Sequence, residues 1–227
     1  MNIPENIKLL QKEIPGSVKL VAISKTKPVS DILEAYFSGF TTFGENKVQE
    51  LIKKQEDLPE DIEWHMVGHL QTNKVKYIAP FVNMIQSIDS LKLLKIIDKE
   101  AGKHNRIINC LLQLHIALEE TKFGLSLNEV QEILESPDFK LLKNARIVGL
   151  MGMATFTSEE EVIRMEFKFL ADCFKKIKKY YFPTDKKFKE ISMGMSGDYK
   201  IAIEEGSTMI RVGSSIFGAR SCSISPT

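Results

Sequence analysis

Eight short apolar or β-branched runs recur along the chain, each separated from the next by an amphipathic or polar stretch of helical length. They are VKLVAIS (18–24), FTTFGE (40–45), EWHMVG (63–68), VNMIQSID (82–89), IINCLLQLHI (107–116), ARIVGLMGM (145–153), KEISMGM (189–195) and STMIRVGSSIF (207–217). Near-continuous apolar strands alternating with helices are the mark of a parallel sheet covered on its faces. Eight such units in 227 residues meet the demand of an α/β fold closed into a (β/α)8 barrel of the TIM type. A doubly wound open sheet is the alternative, but its first strand normally runs into a G-x-G-x-x-G turn. The turn here is SKTKP, which has no glycine. With no low-complexity linker and no shift in composition, a single domain over residues 1–227 is expected.

The clearest helix spans 158–179. Ile163, Phe167, Leu170, Phe174 and Ile177 recur at spacings of four, three, four and three, one face of a 3.6-residue period. Ser158 followed by Glu161 reads as a capping box at its start. At 43% hydrophobic and 27% charged, the composition is that of an ordinary globular protein. A formal net charge of +1 offers no electrostatic footprint for nucleic acid or an anionic membrane. Cys110, Cys173 and Cys222 are scattered, which is no disulfide framework and suits a reducing compartment. The amino terminus lacks the basic start and apolar run of a signal peptide. No stretch approaches the ~20 apolar residues of a membrane span. The cytoplasm is the expected location.

In barrels of this kind chemistry gathers at the carboxyl ends of the strands, with phosphate often held by the loops after strands seven and eight. Those loops read SMGMSGDY and IRVGSSIFGAR, and SGD opens a short helical stretch over 198–206. Backbone amides at a helix start, with the Ser196 hydroxyl, would hold an anion. Gly213 permits close backbone approach and Ser214 adds a donor. Lys25 ends the first strand and enters the same mouth. Apolar walls and neighbouring cations lower a lysine's pKa, and a neutral amine forms a Schiff base with an aldehyde. The alternative for Lys25 is a phosphate-pairing lysine, or a surface loop lysine such as Lys27 before Pro28. Arg211 lies between Ile210 and Val212, where an unpaired guanidinium would be costly. It belongs either to a buried structural ion pair or to a bound ligand. An amine, an anion cradle and an inward arginine together suit an aldehyde that carries a phosphate, and pyridoxal phosphate answers that description.

Six motifs carry a resemblance: AISKTKP (22–28), FGENKVQE (43–50), WHMVGHLQTNK (64–74), GLMGM (149–153), SMGMSGD (192–198) and GSTMIRVGSSIFGAR (206–220). In these the chain resembles the pyridoxal-phosphate homeostasis protein family of the YggS/PROSC type, from residue 22 to residue 220. The resemblance implies the fold-type III barrel shared with the amino-terminal domain of alanine racemases, and pyridoxal 5'-phosphate as cofactor. It makes Lys25 the Schiff-base lysine, gives the phosphate to Ser196, Gly213 and Ser214, faces Arg211 to the pyridine nitrogen, and lines the site with Asn46. It also favours a monomer, with apo-enzymes that need the cofactor as candidate recipients. The lysine of ENK stands where a tyrosine or valine is common, and LHIALEETKFGL is a divergent fifth-strand loop, in which Lys122 is a candidate second anion contact.

The same assignment bears on catalysis. A guanidinium opposite the ring nitrogen cannot accept a proton and disfavours the pyridinium form, so the ring is a weaker sink for carbanions. A racemase of this fold also uses a tyrosine base from a β-rich domain after the barrel, whereas this chain ends about ten residues after its eighth run, at SCSISPT. Lacking an acid–base group of this kind typically costs about 10²- to 10⁴-fold in rate. The expectation is a cofactor carrier or homeostasis protein with any catalysis weak. A partner-assisted amino-acid racemase and a cofactor-free Schiff-base aldolase are the alternatives.

Other signals are weak. His65 and His69 stand four apart, but HMVGH lacks the glutamate of H-E-x-x-H, so no metal site is expected. The basic, aromatic stretch over 175–189 is accounted for by the helix period and a solvated lysine face. Met151, Met153, Met193 and Met195 alternate on two strands, so one face of each is expected inside the barrel.

Overall fold

The structure, a computed structural model, describes residues 2–117 and 123–218. Eight parallel strands close into a barrel in chain order: β1 (Lys19–Ile23), β2 (Thr42–Glu45), β3 (Glu63–Met66), β4 (Met84–Ile88), β5 (Ile108–Gln113), β6 (Ala145–Met151), β7 (Glu190–Met195) and β8 (Met209–Val212). The helices are α1 (Ile3–Glu13), α2 (Val29–Phe37), α3 (Val48–Asp57), α4 (Val75–Ile78), α5 (Leu91–Lys103), α6 (Leu127–Glu135), α7 (Pro137–Lys140), α8 (Glu160–Tyr181), α9 (Tyr199–Glu204) and α10 (Ser214–Phe217). Closure comes from β8 pairing with β1, which sets Val21 beside Arg211. Each of the eight apolar runs contains one strand.

The apolar character on both faces of the strands reflects two separate cores. Leu20, Ala22, Phe43, Trp64 and Met66 face outward and pack beneath the helices, together with the α8 stripe of Ile163, Phe167, Leu170, Phe174 and Ile177. Val21, Met84, Leu111, Val148, Met151 and Met209 face inward and fill the barrel interior, with Ile23 and Met153 against them. The period of two along a strand separates the sets.

Three local expectations are corrected. The helix cap is not Ser158: α8 is entered from Glu159, which makes no capping bond, while Thr157 Oγ1 accepts from the Glu159 amide at 3.1 Å. Thr157 thus bonds the amide of the residue that enters the helix, and not the Glu161 amide that a capping box at Ser158 would use. The eighth run does not stay extended to Phe217. It leaves the sheet after Val212, and residues 214–217 turn into α10, where Ile216 and Phe217 remain buried as helical residues. Of Met151, Met153, Met193 and Met195, only Met151 and Met153 pack against the barrel interior. Met193 packs in the outer core and Met195 reaches the cavity mouth, because the inward position of β7 belongs to Ser192.

Candidate functional site

The strands' carboxyl ends open on a cavity of about 620 Å³, inside the ~300–1,000 Å³ range of small-molecule sites. Lys25, Asn46, Ser196, Arg211, Gly213 and Ser214 all line it. Six residues from four separate motifs are thus brought together. Lys122 and Cys222 lie outside the described residues.

Strand alternation explains the aim of Lys25. Val21 and Ile23 point inward, and Lys25 continues their face into the mouth, half-buried, while Ser24 turns outward and is fully buried. Lys27 is corrected: it lines the cavity, and its ammonium donates to the Phe217 carbonyl at 2.7 Å, at the end of α10. Asn46 is held by a close backbone approach, since a Cβ on Gly68 would stand 2.3 Å from the Asn46 carbonyl oxygen. Ser196 joins the loops after β7 and β8, its Oγ accepting from the Gly213 amide at 3.1 Å. Ser214 and Ser215 open α10, and the first amides of a helix have no acceptor within it. Asp198 also lines the cavity, with its Oδ1 turned back to accept from the Met195 amide at 2.5 Å.

Arg211 is 5% exposed. Its Nη1 donates to Ser192 Oγ at 2.6 Å and its Nη2 to the Gly152 carbonyl at 3.0 Å. Both acceptors are neutral, so these bonds are not the structural ion pair held open above. Burial draws its pKa down to about 10, opposed by the charge of Asp198. It remains protonated at neutral pH.

A guanidinium only donates, and this orients a chain of bonds across the interior. Ser192 Oγ accepts from Arg211 and gives its own hydrogen to Gln86 Oε1 at 2.6 Å. Gln86 Nε2 then faces His65 Nδ1 at 2.9 Å and Met209 Sδ at 3.2 Å. An amide nitrogen is a donor, so Nδ1 accepts and the imidazole proton sits on Nε2. Burial, with the charge of Lys19 adding to it, pushes His65 down to about 3. Ser192, Gln86 and His65 were missed as site residues. The available signal was a polar residue inside each of three apolar strand runs.

The depressed His65 pKa has a stability consequence. From pH 6.5 down to about 3 the unfolded chain takes up a proton that the folded one refuses. His65 therefore contributes stability that is present above pH 6.5 and lost as the pH falls, at up to about 1.4 kcal/mol per unit. His65→Asn, which keeps an acceptor near Nδ1, is expected to reduce the stability lost between pH 7 and pH 4 by about 3 kcal/mol. Urea midpoints at the two pH values measure it. Equal losses in both proteins would assign the acid sensitivity to other groups.

His69, by contrast, meets Asp89 Oδ2 at 3.2 Å and stacks on Phe123. Among the described residues no group of three or more His, Cys, Asp or Glu side chains could hold a metal. Burial raises both described thiols, Cys173 to about 11 and Cys110 further. Among the described residues no helix is long and apolar enough to cross a membrane.

The family model described as the alanine racemase N-terminal domain matches residues 1–221. A pyridoxal phosphate homeostasis protein of Aquifex aeolicus is 39% identical over 204 residues, 89% of this chain and 87% of that one. The structure of PipY from Synechococcus elongatus aligns at TM-score 0.88 without PLP and 0.85 with PLP bound. Its identity is 35% and 34% respectively, over 95% of this chain and 100% of that one. An alanine racemase of Clostridium difficile aligns at TM-score 0.72 with 12% identity, a likeness of fold that spans 98% of this chain and 57% of the racemase. Matched almost end to end by that family model and by relatives of nearly its own length, the chain belongs to the pyridoxal phosphate homeostasis protein family, built on the alanine racemase barrel.

Proposed function

We propose that this protein binds pyridoxal 5'-phosphate and serves cofactor homeostasis, holding it as a Schiff base on Lys25 with the phosphate on the loops after β7 and β8. The observation that carries the reading is Arg211, a buried cation lining the cavity whose bonds go to neutral acceptors. Burying a charge without an ion pair is costly, and a ligand with an anionic group and an acceptor offsets that cost. The name of the Aquifex relative and the PLP-bound PipY structure support the same ligand.

The residues fit the group. Lys25 would hold the group through its amine, whose chemistry with an aldehyde is Schiff-base formation with loss of one water. Ser196, Ser214 and the first amides of α10 take the phosphate, Gly213 lets the chain approach it, and Asn46 lines the remaining wall. Arg211 donates toward the ring nitrogen. Bound pyridoxal phosphate supplies an electron sink, and a protonated Arg211 weakens it by leaving that nitrogen without a proton. This favours a carrier over an amino-acid racemase, as does the lack of a tyrosine among the described lining residues. On this reading the protein is a cytoplasmic monomer that passes the cofactor to apo-enzymes.

The test is the visible absorbance of wild type and Lys25→Ala, before and after borohydride reduction. A band is expected in the wild type, lost in the variant and trapped by reduction as an adduct on Lys25. A wild type that stays colourless with added pyridoxal phosphate would refute the proposal.

A further inference from the structure

The backbone on both sides of Lys25 is tied to one buried polar cluster. On the amino side, Ser24 Oγ donates to Glu45 Oε1 at 2.6 Å, and the Lys54 ammonium donates to the Ser24 carbonyl at 2.7 Å. On the carboxyl side, the Thr26 amide donates to Glu50 Oε1 at 2.6 Å. Lys54 closes the ring, meeting Glu45 Oε1 and Glu50 Oε1 at 2.7 Å each. Glu45 ends β2, while Lys54 and Glu50 come from α3, so the cluster lies between barrel and helix.

Two features show that this cluster is more than filler. Lys54 and Glu45 are 5% and 0% exposed, and a buried ion pair is rarely more stable than apolar residues of similar volume. Glu45 Oε2 is buried with no hydrogen-bond partner in the described structure, a further cost. Thr26, a β-branched residue, is also held at φ +65°, in the left-handed region. Such strain persists only where surrounding bonds over-determine the backbone. The bond from the Thr26 amide to Glu50 and the bonds at Ser24 supply that restraint one residue to either side of Lys25.

We propose that Lys54, with Glu45 and Glu50, is a positioning residue for Lys25, clamping the peptides on either side so that the amine enters the cavity in one direction. The inference rests on the reading of Lys25 as the cofactor-bonding amine. None of the three side chains lines the cavity, and their bonds reach Ser24 and Thr26, the residues on either side of Lys25.

Glu50 offers the cleanest test, because its side chain is 23% exposed and its loss leaves Lys54 still paired with Glu45. In Glu50→Ala the rate of covalent capture, read as growth of the visible band on adding pyridoxal phosphate, is expected to fall roughly 10- to 100-fold. Hydrogen exchange of the Thr26 amide in the cofactor-free protein is expected to rise at least about tenfold, as its acceptor is lost. Glu50→Gln keeps an acceptor oxygen and is expected to restore both. Binding of pyridoxine phosphate, which has no aldehyde, stays unchanged, a result that general loosening of the site would not give. Lys54→Met, where it folds, follows Glu50→Ala. A folded Glu50→Ala that captures pyridoxal phosphate at the wild-type rate overturns the clamp and leaves the cofactor reading standing. A colourless wild type with the expected change in Thr26 exchange does the reverse.

Discussion

Arg211→Met is expected to weaken pyridoxal phosphate binding by about 2–5 kcal/mol, at least about 30-fold in Kd. The unliganded protein should stay within about 1 kcal/mol of wild-type stability. The opposite responses have one cause. Arg211 sits desolvated, with a pKa drawn down to about 10, and its bonds go to a hydroxyl and a carbonyl instead of a carboxylate. Removing it relieves the burial of a charge, which offsets the loss of the two bonds. With ligand present, the variant loses a charged donor aimed into the cavity. Titration of borohydride-free protein with pyridoxal phosphate gives the first quantity and urea unfolding the second. Wild-type affinity in the variant would place the ligand away from β8. Strong destabilisation without ligand would make Arg211 a structural residue.

Gly149→Ala is expected to have the largest effect on the fold, about 3–5 kcal/mol, at the upper end of single-residue changes. Gly149 pairs with Leu111 on one side and Glu190 on the other. A Cβ there would stand 1.8 Å from the Glu190 carbonyl oxygen and 2.6 Å from its carbon. Those are backbone atoms of β7, so no side-chain rotation relieves the clash. The strand itself must move, and with it Ser192, the partner of Arg211 and Gln86. Gly16→Ala is the control: a Cβ there meets nothing within 4 Å, and the change is expected to stay within about 0.5 kcal/mol. Comparison of urea midpoints decides. Equal midpoints would mean that β6 and β7 separate at little cost.

The barrel was legible because parallel strands buried on both faces leave long apolar runs, and eight of them survive in the sequence as unbroken stretches. The α8 stripe was legible for the same reason, one face of a helix repeating its contact with the sheet. The cap was not. A cap depends on where the chain turns into the helix, and α8 is entered from Glu159, one residue beyond Ser158. Lys27 was misjudged because its partner, the Phe217 carbonyl, lies 190 positions away.

The site divides along the same line. Residue types alone fixed the chemistry of an amine, hydroxyls and an arginine at strand ends, since each carries its chemistry in its own side chain. Closure of the barrel decided the rest. Ser192 and Gln86 are 106 positions apart and meet only because β4 and β7 face one another across the interior. Glu45, Lys54 and Ser24 meet only because α3 folds back over β1 and β2. Periodicity shows that a residue is buried, and in a strand buried on both faces it does not show which side a polar group faces. Only the pairing of each strand with its neighbours settles that, and with it the bonds that hold Arg211 and the backbone around Lys25 in place.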